Sequence, residues 1–203
     1  MAVLGKGTAH GGCSLLHAAG LGYGATVTLD LPVTVKLLDR ESKKGPPNDP
    51  DHLLNAVLHA WSTAGYTLPK GLESRDLHWR VDSKIPSRQG LKSSSAVAVA
   101  ALRAIADAVE EQLDDAETVE LAVESQIHAG VTITGSVGDT WAAATSGWKL
   151  VDPQQPIRDG VLLQGEVPGG EDWDVAIVLR GERKQRPNLE QFAPHATAFQ
   201  QAL

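Results

Sequence analysis

The stretch "IPSRQGLKSSSAVAVAALRAIADAV", Ile85 to Val109, opens as a polar loop and closes as an apolar, alanine-rich helix. Three serines, Ser93, Ser94 and Ser95, stand at the junction. From Ser93 to Leu113 the residues Leu102, Ile105, Val109 and Leu113 recur at helical spacing, and Arg103, Asp107, Glu110 and Glu111 form a wet face. A helix start leaves several backbone N–H groups without internal partners, and its dipole end is partly positive. Gly90 lets the loop bring those groups close to an anion, because it has no Cβ. Serine hydroxyls add bonds to a phosphate or a ligand for Mg²⁺. Ala96, Ala98, Ala100 and Ala101 let the helix approach a sheet or ligand closely. The other reading is a helix cap, for which serine is among the best residues. A cap needs one serine rather than three, and Ala96 or Val97 at the third helical position makes no capping box. Both readings stand on these residues alone. The stretch is not the P-loop of the common nucleotide-binding fold, since no Gly-Lys pair precedes the serines.

Outward from this helix, the chain reads as strands mixed with non-alternating helices, an α+β layout rather than a doubly wound sheet. "GYGATVTLDLPVTVKLLDR" (22–40) alternates and predicts one or two strands, with Pro32 at an edge or break. "ESKKGPPNDP" (41–50) is a turn-rich loop. Asp51 is expected to cap a helix running to about Ala64, with Leu53, Leu54, Val57, Leu58 and Trp61 on its apolar face. "DLHWRVD" (76–82) predicts a strand. A second helix is expected from about Ala116 to His128, with Asp114 and Asp115 at its boundary. "GVTITGSVGDTWAAATSGWKLV" (130–151) reads as a Gly- and Thr-rich loop followed by a short strand. "WDVAIVLRG" (173–181) predicts a further, buried strand, and "NLEQFAPHATAFQQAL" (188–203) helical pieces interrupted at Pro194.

The 203 residues are 42% hydrophobic and 21% charged, enough apolar content for a packed core. A net charge of −7 gives no support to a nucleic-acid partner. The single cysteine, Cys13, excludes an internal disulfide and fits a reducing cytoplasm. No apolar run follows a basic start at the N-terminus, and no stretch of 18 apolar residues occurs, so neither a signal peptide nor a membrane span is expected. "GLGYGA", with Gly20, Gly22 and Ala25, fits a loose dinucleotide fingerprint, but the residues after it read as strand where that fingerprint must open a helix. The seven histidines are scattered without a zinc-ligand spacing.

"IPSRQGLKSSSAVA" resembles the second motif of the GHMP kinases, the superfamily of galactokinase, homoserine kinase, mevalonate kinase and phosphomevalonate kinase. Pro86, Gly90, Leu91, Ser93 and Ser94 fall on its pattern, and the triple serine after "GLK" is closest to the archaeal type of shikimate kinase. "GCSLLHAAGLGYGATVTLDL" resembles the N-terminal substrate-side motif of that subfamily, with Gly22, Gly24, Ala25, Asp30 and Leu31 in register. "AGVTITGSVGDTWAA" resembles its Ala-Gly-Val-Thr-Ile-Thr-Gly loop. The resemblance implies a GHMP kinase fold, with an N-terminal domain over 1–150 and the beginning of an incomplete C-terminal domain over 151–203. Nothing after "WDVAIVLRG" resembles the family's Gly-rich third motif. It implies transfer of the ATP γ-phosphate to the 3-hydroxyl of shikimate. The alternatives are another small acceptor such as homoserine, or a non-catalytic descendant that binds nucleotide or metabolite.

The resemblance also assigns roles. Pro86 and Gly90 to Ala96 (Gly90, Leu91, Lys92, Ser93, Ser94, Ser95, Ala96) are expected to wrap the nucleotide phosphates. Ser94 supplies a hydroxyl to Mg²⁺, and Glu124 the carboxylate. Asp139 is the candidate base, because a carboxylate near the acceptor hydroxyl takes its proton as the new bond to phosphorus forms. The family usually shows two adjacent acids there, where this chain has Gly138 and Asp139. Thr132, Thr134 and Ser136 are expected to shape the same pocket, and His17 stands where the subfamily usually has Asn. The carboxylate of shikimate calls for a cation. Arg88, Lys92 and the cluster Arg180, Arg183, Lys184 and Arg186 are the options, with Arg183 preferred. A shortened chain of this kind is also a candidate to complete its site as a homodimer.

Overall fold

In the computed structural model, residues 2–86, 88–132, 134–166, 173–178, 190 and 193–202 are described. The fold begins with two long antiparallel strands, β1 (Val3–Leu16) and β2 (Gly24–Leu38), joined through a single helical turn, α1 (Ala18–Leu21). The alternation expected in β2 is present: Val33, Val35 and Leu37 are fully buried. β3 (His78–Ser83) pairs with the second half of β2, and β4 (Trp148–Val151) with its first four residues. β5 (Val161–Gly165) adds to β4 and completes a five-stranded antiparallel sheet. Pro32 sits where β2 passes from one partner to the other. Its carbonyl accepts from the Lys84 amide at 3.0 Å, and the β1 register shifts between His10 and Gly12 opposite it. A proline in a central strand is tolerated at such a break. "GLGYGA" leads into β2 and not into a helix, which removes the dinucleotide reading.

β1 itself is not evident in the sequence, because glycine weakens strand patterning. The structure gives its glycines a purpose. A Cβ on Gly5 would overlap the carbonyl oxygen of Ala104, and one on Gly7 that of Ala100. Both carbonyls belong to α3 (Ser93–Val109), which lies directly on the bare backbone of β1. Small residues on both sides allow this approach. Ala96, Ala98, Val99, Ala100, Ala101, Leu102, Ala104 and Ile105 are buried nearly all round the helix, as a central helix requires. The Lys6 amide donates to Asp107 Oδ2 at 2.8 Å, and the Arg103 guanidinium to the carbonyls of Thr8 (2.9 Å) and Ala144 (2.7 Å). Helices α2 (Leu53–Thr63), α4 (Asp115–His128) and α5 (Val137–Ala144) close over α3. A short 3₁₀ turn at Ser74–Asp76 precedes β3. Among the described residues no helix is long and apolar enough to cross a membrane.

Several sequence expectations need correction. The cap of α2 is not Asp51 but Asp49, whose two carboxylate oxygens accept from the Leu53 and Leu54 amides at 2.9 Å each. α3 stops at Val109 rather than Leu113, because Glu110 turns left-handed (φ 56°) and Glu111 N–H bonds the Ala106 carbonyl. The Gly- and Thr-rich stretch contains a helix, α5, hidden by its weak helix formers and its length of eight residues. Residues 173–178 form no strand and are exposed, Trp173 at 64% and Val178 at 81%. Residues 179–181 of that expectation lie outside the described residues. The boundary at Asp114 is as expected: it caps α4 in a reciprocal box with Glu117. The Glu117 amide, with Arg158 beside it, holds the Asp114 carboxyl below its ordinary range. Near the C-terminus a 3₁₀ turn (Ala193–His195) containing Pro194 precedes α6 (Ala196–Ala202).

Gly7→Ala is expected to destabilise the chain by about 2 kcal/mol or more in urea denaturation, since α3 must shift to admit the methyl group. Were the strand merely weakened by glycine, alanine would stabilise it instead.

Candidate functional site

Among the described residues, no side chain caps the start of α3. Its N-cap residue, Lys92, is left-handed (φ 63°) and makes no side-chain bond to the first-turn amides. Gly90, two residues earlier, is also left-handed (φ 77°). The contrast with α2 is direct, because there the Asp49 carboxylate takes the equivalent groups. The three serines therefore do not serve as caps. Ser93 and Ser94 are half-buried and line a cleft of about 670 Å³, together with Arg88, Asp51, Leu54, Val81, Ile85 and Val97. The cleft joins one cation and an uncapped helix start to an apolar wall, a combination suited to a molecule with an anionic tail and a flat apolar head.

The other expected phosphate-loop residues divide. Pro86 and Gly90 border the turn. Leu91 and Ala96 are core residues, and the Leu91 carbonyl accepts from the Gly12 amide at 3.2 Å. They shape the loop and offer no side chain to a ligand. Ser95 is buried, and its hydroxyl donates to Gln126 Oε1 at 2.8 Å, so the third serine faces the interior and not the cleft.

Lys92 reaches away from the cleft. Its Nζ lies 3.0 Å from Asp139 Oδ1, with the two side chains 12% and 23% exposed. The Thr26 hydroxyl donates to the same oxygen at 3.0 Å. Asp139 Oδ2 takes no hydrogen bond among the described residues. Asp139 stands in the first turn of α5, whose N-cap, Ser136, is left-handed (φ 54°) and again without a side-chain cap. A second, narrow pocket opens here. It is lined by His17, Thr26, Thr134, Ser136 and Asp139, with Ser14 and Gly138. His17 Nδ1 accepts from the Ala19 amide at 3.1 Å, which leaves the ring proton on Nε2. Thr132 contributes through a hydroxyl–hydroxyl bond of 2.7 Å to Ser136. The structure thus brings His17 together with Thr134 and Asp139, which lie in one stretch far along the sequence from it.

Two expected residues are not joined to these. Glu124 lies on the exposed face of α4 and lines neither pocket, because the helix turns Ser125 and Gln126 into the core instead. Arg183 and its basic cluster lie outside the described residues. Among the described lining residues of the narrow pocket there is no arginine or lysine, and Arg88 lines the larger cleft. Thr26 and Gln126 were not legible as site residues. Thr26 sits in an ordinary strand pattern, and Gln126 in a helix where a polar residue normally faces water.

Residues 52–147 match the family model described as GHMP kinases N terminal domain. A shikimate kinase of Pyrococcus furiosus is 34% identical over 156 residues, 73% of this chain and 54% of the relative. Residues 52–147 carry a GHMP kinase N-terminal domain. A shikimate kinase of Halobacterium salinarum is 27% identical over 182 residues, covering 88% of this chain and 62% of the relative. The chain therefore spans little more than half the length of the curated relatives it matches. Among solved structures, mevalonate kinase from methicillin-resistant Staphylococcus aureus is similar with 26% identity and a TM-score of 0.53, over 72% of this chain and 52% of that one. Lactococcus lactis galactokinase, complexed with galactose, has 17% identity and a TM-score of 0.60, over 75% and 45%. The likeness to galactokinase is one of fold alone. Within the matched residues, the start of α3 coincides with the "GLKSSSA" motif.

The ion pair is testable by itself. Lys92→Met is expected to cost about 1–3 kcal/mol in urea denaturation, because it leaves a partly buried carboxylate without its counter-charge. Lys92→Met with Asp139→Asn should recover part of that loss, and additive losses would mean the pair is energetically idle.

Proposed function

We propose that the chain is an ATP-dependent small-molecule kinase acting in the cytoplasm, and that its acceptor is shikimate, phosphorylated at the 3-hydroxyl. The observation that carries this reading is the 3.0 Å pair between Lys92 and Asp139. Lys92 is the residue from which the uncapped turn of α3 begins, so the anion-holding turn and the carboxylate pocket are direct neighbours. Kinase chemistry requires that adjacency, because phosphoryl transfer depends on positioning and charge stabilisation.

In this reading the first-turn amides of Ser93, Ser94 and Ser95 hold the nucleotide phosphates, and the apolar wall of the cleft takes the base. A bound Mg²⁺ would supply charge neutralisation for the phosphates. The chain offers it the Ser94 hydroxyl. No cluster of three acidic, histidine or cysteine ligands exists among the described residues. Asp139 Oδ2 accepts the proton of the acceptor hydroxyl while the acceptor oxygen bonds to the γ-phosphorus and the bond from that phosphorus to the β-phosphate oxygen breaks. Lys92 and Thr26, both on Oδ1, keep the carboxylate oriented for that role. The hydroxyls of Ser14, Thr134 and Ser136 suit an acceptor with several hydroxyl groups, and His17 lines the same pocket. The similarity to curated shikimate kinases favours shikimate over other such acceptors.

The test is a coupled ADP-release assay offering shikimate, homoserine and mevalonate separately. Turnover with shikimate alone is the expected result, and turnover with none of them contradicts the proposal. Magnesium–ATP binding without turnover would favour a non-catalytic descendant, the reading to which Gly138 points. Asp139→Asn is expected to lower kcat by about a hundredfold or more while nucleotide affinity stays within a few-fold. Ser94→Ala should weaken use of the magnesium nucleotide severalfold with the thermal midpoint unchanged.

A further inference from the structure

α3 and α5 supply the two halves of the proposed site, and both pack against β1. A buried polar chain also runs between them. The Ser95 hydroxyl, in the first turn of α3, donates to Gln126 Oε1 at 2.8 Å. Gln126 Nε2 donates to Thr140 Oγ1 at 2.9 Å and to the Ala122 carbonyl at 3.1 Å. The Thr140 hydroxyl donates to the carbonyl of Ser136, the N-cap of α5, at 2.8 Å. Ser95 is 1% exposed, and Gln126 and Thr140 are 0% exposed.

Apolar side chains at Gln126 and its partners Ser95 and Thr140 together would fill this space without polar desolvation. Stability alone therefore gives no reason for an amide at this position. What the amide adds is metric. Apolar contacts slide by a good fraction of an ångström at little cost, whereas a planar amide bonded at both ends holds its partners to a narrow range. Its two ends engage the turn carrying Ser93 and Ser94 and the turn carrying Ser136 and Asp139.

We propose that Gln126 is a positioning residue that sets the spacing between the phosphate-holding turn of α3 and the acceptor pocket at the start of α5. It touches neither substrate. It acts through Ser95 on one side and Thr140 on the other, and complements the Lys92–Asp139 pair on the solvent side of the same junction. The inference rests on the kinase reading for its effect on turnover, but the mechanical link itself does not.

Gln126→Met keeps the volume and removes all three amide bonds, those to Ser95 and Thr140 included, and Ser95→Ala removes one with minimal disturbance. Each is expected to lower kcat, by about tenfold for Gln126→Met and severalfold for Ser95→Ala, with KM for ATP and for the acceptor within about threefold of wild type. The double variant should be no slower than Gln126→Met, because both changes break one path. Folded variants with kcat within twofold of wild type, or losses that multiply in the double variant, would overturn the proposal. Backbone amide exchange supplies an arm independent of activity. In Gln126→Met, exchange should quicken at residues 93–96 and at 137–140 together, and quickening confined to α4 overturns the link. If the wild-type chain releases no ADP with any acceptor, the kinase reading fails, and the exchange arm alone decides whether Gln126 couples the two turns.

Discussion

The site depends on how closely α3 is seated on β1. Because Gly5 and Gly7 have no side chains, the helix rests on strand backbone, and the position of its first turn is fixed by close-packed, incompressible contacts. Everything at the other end follows from that seating. Lys92 turns left-handed, the amides after it go uncapped, and its ammonium group comes within reach of Asp139. The small residues in α3 and the glycines in β1 are therefore two halves of one packing solution, although they lie some ninety residues apart.

Charge then completes what packing begins. An uncapped helix start is an unmet electrostatic demand, and so is a partly buried lysine. The chain meets the second internally, through Asp139 and Thr26, and leaves the first to whatever occupies the cleft. At α2 the same demand is met by Asp49. The proposed site for an exogenous anion rests on this difference between two helices of one domain, and serine content alone does not draw that distinction. The residues that match the family model include both Lys92 and Asp139.

Much of the architecture was legible in the sequence. The period-two pattern of β2 and β3, the long α3 and the capping of α4 are local signals. The elements that were not legible have non-local causes. β1 reads poorly because its glycines answer to α3 rather than to their own strand. α5 reads as loop because its neighbours, not its propensity, make it helical. The residues 173–178 read as a buried strand from composition, yet they are exposed where they are described. In the site, the motif marked Ser93, Ser94, His17, Thr134 and Asp139, and the structure gathers these around two adjacent pockets. It could not mark that Ser95 faces inward or that Lys92 bridges to Asp139. Glu124 was misjudged for the same reason: which face of α4 is buried depends on α3 and α5, and their placement is tertiary. Gln126 was invisible because a buried amide looks like a surface residue until its partners are known.

The central claim is that the bare first turn of α3 receives the phosphates of a nucleotide. Its most direct test is an amide NMR titration of the chain with a non-hydrolysable ATP analogue and Mg²⁺. The account predicts that Ser93, Ser94 and Ser95 show the largest shifts while the capped first turn of α2, Leu53 and Leu54, moves far less. A nucleotide that binds without disturbing Ser93 to Ser95, or that fails to bind, would contradict it.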